Sequence, residues 1–221
     1  MHTKRITAGK GKKPKWLITL NAGSHKKGSS MPLLYLIRDI LHYADNNREA
    51  ELIINKGLVL VNKKIAREAK NPVGLMDVVE IPLERKRYRL LPSHGGIKVK
   101  EITEAESNIK PCRIVDKQVV KNKGVQLNLH DGTTILLNKD AFKTKDTLVL
   151  EMPSRKIKDT IEFKKGNLAL ISQGRHAGQT GIIEEIIEGT AAKRPITKVG
   201  GIDTPTDYLF VIGKEKPLIA L

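Results

Sequence analysis

An α+β, multi-domain fold is expected from the sequence: a basic N-terminal extension over residues 1–30, a small α-rich unit over 31–90, a β-rich central domain over 91–162 and a small β-barrel over 163–221. The expectation rests on three features. Apolar residues recur at helical spacing between Leu33 and Ile54. From about residue 91 they alternate at strand spacing instead. After residue 163, glycine-rich turns separate short apolar runs. A length of 221 residues has room for several small domains.

The extension alternates Lys, Gly, Ser and Pro, with Trp16-Leu17-Ile18 as its one apolar anchor. Such a segment buries too little surface to offset chain entropy alone, and orders against a polyanion. Pro32 suits a first helical turn, and Leu33, Leu36, Ile37, Ile40, Leu41 and Ala44 then form one apolar helix face. Asn46 followed by Glu49 reads as a capping box opening a second helix through Ala50, Leu52, Ile53 and Ile54, which Gly57 stops. Leu58 to Asn62 reads as a strand, Asn62-Lys63-Lys64 as its turn, and Asp77 to Ile81 as another strand ended by Pro82.

In the central stretch Val125, Leu127 and Leu129 alternate with Gln126, Asn128 and His130, Asp131-Gly132 offers a tight turn, and Thr133 to Leu137 returns. Arg113 to Val120 and Thr147 to Met152 are further strands, and the basic stretch Arg155 to Lys158 closes the domain. The last segment reads as strand Leu168–Ile171, a glycine turn, strand Ile182–Ile186 and strand Tyr208–Ile212, with 189–207 as an irregular or hairpin insertion.

Forty Lys and Arg against 24 Asp and Glu give a formal net charge of +16, which points to nucleic acid or an anionic membrane surface. Half of the excess sits in residues 1–30, where eight basic residues meet no acid. Only eight of 221 residues are aromatic, so phosphate and shape contacts should outweigh base stacking. Cys112 is the single cysteine, which excludes an internal disulfide and a cysteine-based zinc site and fits a reducing compartment. No signal-peptide core precedes the folded sequence and no apolar run is long enough to span a bilayer, so a soluble intracellular protein is expected.

No motif specifies catalysis. Gly174, Gly178 and Gly181 lie between two strand-like runs, without the following helix of a dinucleotide loop or the Lys-Ser/Thr ending of a P-loop. They are better explained as turns needing positive φ, with Arg175 and His176 at the tip available to RNA phosphate. Ser24 to Lys27 and Ser107 to Lys110 match a Ser-x-x-Lys spacing but lack its companion motifs. The six histidines include no metal-spaced pair, so no metal, cofactor or small-molecule substrate is expected. The candidate RNA-binding residues are Lys4, Arg5, Lys10, Lys12, Lys13, Lys15, Lys26 and Lys27 in the extension. On the helical unit they are Arg38, Arg48, Lys56, Lys63, Lys64 and Arg67, a set that solvation alone would also explain. The strip Arg85-Lys86-Arg87-Tyr88-Arg89 is either a second contact or a charged linker.

Residues 32–82 resemble the S-four RNA-binding module, through helix 33–44, the helix around Ala50–Ile54, the run Lys56 to Asn62 and the strand Asp77 to Ile81. Residues 163–186 resemble the KOW motif, through Lys165-Gly166, Gly174, Gly178, Gly181 and Ile182. In sequence, the basic opening with His2, Lys4 and Arg5, the run Pro32 to Leu41, the run Pro72 to Val78, the KOW unit and Phe210 to Lys214 are similar to the S-four-e family of small-subunit ribosomal proteins, archaeal and eukaryotic in type. The chain departs from the family in the extension, at 189–207, and at Lys63-Lys64, where a glycine is common. The resemblance implies an S-four module, a β-rich domain and an SH3-like KOW β-barrel. It further implies a structural protein of the cytoplasmic small ribosomal subunit, bound to folded ribosomal RNA beside neighbouring ribosomal proteins, with no catalytic residue. Two rival readings are a KOW-based regulator of transcription or translation and an RNA-modifying enzyme. The second would need a catalytic domain that 91–221 does not offer.

Overall fold

The computed structural model describes residues 17–121, 124–138, 140–190 and 193–221. These form two compact units. The first takes the described residues up to Leu91 together with Gly95–Lys110 and Glu151–Lys156; the second takes Pro92–His94, Pro111–Leu150 and Ile157–Leu221. Strand outweighs helix throughout, so the architecture is α+β and multi-domain but mostly β.

In the first unit β1 (Ser30–Pro32) leads directly into α1 (Leu33–Tyr35), which widens into a π-helical turn over Leu36–Ile40. The helix expected as far as Ala44 is therefore shorter. Leu33 to Ile37 are all buried, so the segment has no solvent face to stabilise as a longer amphipathic helix. His42 then takes φ 55°, in the left-handed region that ends a helix. The second helix, α2 (Asn47–Asn55), forms as its cap predicts: Asn46 Oδ1 accepts the Glu49 amide at 2.9 Å, and the Glu49 carboxylate accepts the Asp45 amide at 3.0 Å. Ala50 and Ile54 are its buried face, and Gly57 leaves it at φ 73°.

The strands that follow are β2 (Leu60–Val61), β3 (Lys64–Ile65), β4 (Pro72–Gly74), β5 (Val78–Ile81), β6 (Lys86–Ser93) and β7 (Gly96–Glu101). β4 pairs with β1, and the others form a five-stranded sheet in the order β3-β2-β5-β6-β7. Asn62 (φ 50°) and Lys63 (φ 64°) make the two-residue turn between β2 and β3. The helical segments and sheet enclose Met31, Leu33, Leu36, Ile37, Ile54, Val59, Val79 and Leu90, each burial worth roughly 1.5–3 kcal/mol. The strip Arg85–Arg89 is not a linker: it enters β6, and Arg89 is wholly buried. A short α3 (Glu104–Ser107) follows.

β8 (Ile109–Val120), β9 (Gly124–Leu129), β10 (Thr134–Leu137), β11 (Thr147–Glu151) and β12 (Lys156–Ile161) form a second sheet, in the order β10-β9-β8-β11-β12. The alternation read in the sequence is the packing: Val125, Leu127 and Leu129 join Cys112, Ile114, Leu148 and Leu150 in its core. Asp131-Gly132 makes the tight turn into β10, with Gly132 at φ 71°. The third sheet holds β13 (Leu168–Ile171), β14 (Thr180–Ile187), β15 (Ile196–Val199), β16 (Ile202–Pro205) and β17 (Leu209–Gly213), in the order β16-β15-β14-β13-β17. Within 189–207, therefore, β15 and β16 are integral members of this sheet, joined through Gly200 and Gly201. No helix of the described residues is long and apolar enough to cross a membrane.

Candidate nucleic-acid interface

Lys4, Arg5, Lys10, Lys12, Lys13 and Lys15 lie outside the described residues. Lys26 and Lys27 are exposed on a turn closed by the Ser29 amide and the Ser30 hydroxyl, which both donate to the Lys26 carbonyl, at 3.0 and 2.8 Å. Beside them His25 is buried: its Nε2 donates to Asp77 Oδ2 at 2.8 Å. The end of the extension is thus fastened to the first unit, and its two lysines face solvent.

The candidates on the S-four-like unit separate into two groups. Arg38 and Lys63 are engaged within the fold. Arg38 contacts the Asp39 carboxylate at 2.8 Å and also donates to Asn47 Oδ1. Lys63 Nζ lies 2.9 Å from Glu80 Oε1 and donates to Ser107 Oγ at 2.8 Å. Arg48, Lys56, Lys64 and Arg67 are exposed and make no ion pair with any described residue. Arg48 stands in the first turn of α2 and Lys56 at its C-terminal cap. Arg67 Nε is 3.8 Å from where a Cβ on Gly57 would sit, so the Arg67 guanidinium lies beside the C-terminal end of α2. Cations there also complement the helix dipole.

In the second unit Arg175 is exposed on the glycine turn, His176 is half-buried, and the Arg175 carbonyl accepts from His94 Nδ1 at 2.9 Å. Gly174 (φ 91°) and Gly178 (φ 92°) take the positive φ that the turn reading required. The Ser-x-x-Lys match at 107–110 is structural: Lys110 Nζ donates to Asp77 Oδ1 at 2.7 Å, and Ser107 Oγ donates to the Glu104 carbonyl.

Sequence reasoning missed two buried charged groups of the first unit. Asp77 is sealed from solvent and accepts from His25, Lys110, Asn62 Nδ2 and the Gly74 amide. Burial pushes its carboxyl up, but Lys110 and His25 with their hydrogen bonds outweigh that and hold it well below the usual carboxylate range. Arg89 donates through Nη2 to the Glu106 and Ile109 carbonyls, both at 2.7 Å, and burial lowers its guanidinium to about 10 against an opposing pull from Glu106. Neither residue carries a spacing signal, because their partners are distant in sequence.

Two family models match the chain: the S4 domain over residues 31–79 and Ribosomal family S4e over residues 84–157. Small ribosomal subunit protein eS4 of Methanocaldococcus jannaschii is 42% identical over 213 residues, covering 90% of this chain and 86% of that protein. The eS4 protein of Archaeoglobus fulgidus is 40% identical over 234 residues, covering 100% of this chain and 98% of its own. The crystal structure of the 30S ribosomal protein S4e from Thermoplasma acidophilum superposes with a TM-score of 0.75 at 34% identity, over 84% of this chain and 96% of that one. With likeness of this extent in sequence and in fold, the chain belongs to the eS4 (S4e) family of small ribosomal subunit proteins.

Proposed function

We propose that this protein is a structural component of the small ribosomal subunit that binds folded ribosomal RNA and takes no catalytic step. The observation that carries the reading is the exposed set Arg48, Lys56, Lys64 and Arg67, on the unit matched by the S4 domain and unpaired among the described residues. Unpaired surface cations contribute little to folding and are suited to phosphate. The acid-free extension adds eight positive charges, and its contacts should act by counterion release. In this reading residues 1–30 lie along RNA, 31–90 grip it, and 91–162 and 163–221 add contacts, the last as a KOW-type barrel presenting Arg175 and His176. Neighbouring ribosomal proteins are further partners. The names of the relatives support a ribosomal place over a free regulator or an enzyme.

Two measurements test it. The protein should co-sediment with small subunits after a moderate salt wash; recovery only in the free fraction would favour the regulator. Its log affinity for duplex ribosomal RNA should fall with log salt at a slope near about −5 if roughly six phosphates are neutralised. Deleting residues 1–30 should flatten that slope, and an unchanged slope would remove the extension from the interface.

A further inference from the structure

The second unit brings together three side chains that the RNA-binding reading does not use. Cys112 sits in β8, and His130 and Asp131 lie at the end of β9, where the chain turns toward β10. One ligand atom from each lies within 4.8 Å of the other two. Cys112 is wholly buried and Asp131 is 6% exposed. We propose that Cys112, His130 and Asp131 form a binding site for a zinc-class divalent cation.

Backbone pairing fixes the arrangement. The His130 amide donates to the Arg113 carbonyl at 3.0 Å, which locks the strand bearing Cys112 beside the turn bearing the other two. The Thr133 amide donates to Asp131 Oδ1 at 3.1 Å and aims Oδ2 at Cys112 Sγ, 3.7 Å away. The His130 ring is held edge-on against Phe210, with centroids 5.2 Å apart and planes at 84°. Carboxylate and imidazole are thus oriented by neighbours that are not themselves ligands, as metal-binding side chains usually are.

Geometry and charge suit zinc. Ligand distances of about 2.0–2.3 Å place tetrahedral ligand atoms roughly 3.4–3.7 Å apart. The Cys112–Asp131 pair is already at 3.7 Å. The widest spacing, at most 4.8 Å, must contract by about 1 Å. The Arg113 amide donates to His130 Nδ1 at 3.2 Å, and a metal ion taking that lone pair would replace this hydrogen bond. Binding deprotonates the thiol, releasing one proton to solvent, and forms a sulfur–metal bond. A dication with one thiolate and one carboxylate is neutral overall, which offsets the cost of burying charge. A soft thiolate with an imidazole favours zinc over magnesium or calcium. Three protein ligands leave the fourth position to water. The exclusion of a cysteine-based site drawn from the single cysteine does not extend to this mixed set, because only cysteine pairs and histidine pairs signal a site in sequence.

The test is a titration of the metal-free full-length protein with cobalt(II), then zinc(II). Cys112 is the only cysteine, so any thiolate-to-cobalt charge-transfer band reports this residue. One equivalent should give that band, zinc should abolish it by displacement, and zinc should raise the thermal midpoint. His130→Gln and Asp131→Asn should each weaken binding by at least about tenfold, judged on whichever variant keeps the wild-type circular dichroism. Absence of the band in the wild-type protein overturns the site. So does a band whose affinity is unchanged in the folded variant, since that describes a lone thiol. None of these readouts depends on RNA, so the site stands or falls separately from the ribosomal role.

Discussion

Lys110 Nζ lies 2.7 Å from Asp77 Oδ1, with both side chains almost wholly removed from solvent. The pair joins the start of β8 to the loop before β5, and His25 and Asn62 converge on the same carboxylate. A buried ion pair adds little over an apolar pair of equal volume, yet removing one partner strands the other charge. Lys110→Ala should therefore cost about 3–5 kcal/mol in urea unfolding. The double variant Asp77→Asn/Lys110→Ala should lose less than the sum of the two single changes. Additive losses would show that the two charges are not coupled.

The same node sets an acid dependence. The Asp77 carboxyl is held below its ordinary value, so its contribution to stability is fully present above the unfolded-state value near about 4 and is lost as pH falls toward the folded one. Between about pH 4 and pH 2 the unfolded chain takes up a proton that the folded chain refuses, at about 1.4 kcal/mol per pH unit. Asp77→Asn should be less stable at neutral pH and lose stability less steeply over that acid range. Equal acid slopes in the two proteins would place the carboxyl at its ordinary value.

Local rules explain what could be read in advance. The α2 cap at Asn46, its exit at Gly57, the alternation Val125-Leu127-Leu129 and the Asp131-Gly132 turn each depend on residues a few positions apart. The shortened first helix was not legible, because its apolar face looked like one side of a helix while Leu34 and Tyr35 bury the other side too. Of the two readings of 189–207 the hairpin holds for β15 and β16, but their place in the sheet left no trace among Pro, Thr and Gly, residues that signal loops. Among the site candidates, basic character located the cations, but only the fold could separate Lys63, bound to Glu80, from Lys64, facing solvent. Asp77 and Arg89 depended on long-range partners and left no local trace.

Gly178 illustrates a glycine required by its surroundings. It sits at φ 92°, its amide donates to the Ile171 carbonyl at 2.8 Å, and an added Cβ would lie 2.9 Å from the Pro92 carbonyl oxygen. Gly178→Ala should destabilise the protein by about 1–3 kcal/mol. It should also show no nucleotide-dependent change in thermal midpoint beyond that of the wild type. A wild-type midpoint that rises with nucleoside triphosphate would revive the phosphate-loop reading of this turn.

Arg89 is an arginine of the fold. Arg89→Ala deletes the donor to two carbonyls and empties a fully buried volume. It should cost about 3 kcal/mol or more. At a temperature where the variant remains folded, its affinity for ribosomal RNA should match the wild type. A loss of RNA affinity without a loss of stability would move Arg89 to the interface.

Arg48 should behave in the opposite way. It is exposed in the first turn of α2, where a positive charge opposes the helix dipole. Arg48→Ala should therefore leave the thermal midpoint unchanged or raise it slightly, by up to a few tenths of a kcal/mol in stability. If the side chain holds one phosphate, the variant should bind ribosomal RNA more weakly across sequences. The magnitude of its salt slope should fall by about one. Measuring affinity at three salt concentrations beside a thermal melt separates the outcomes. A lower midpoint with an unchanged slope would make Arg48 part of the scaffold, and an unchanged pair would make it ordinary solvated surface.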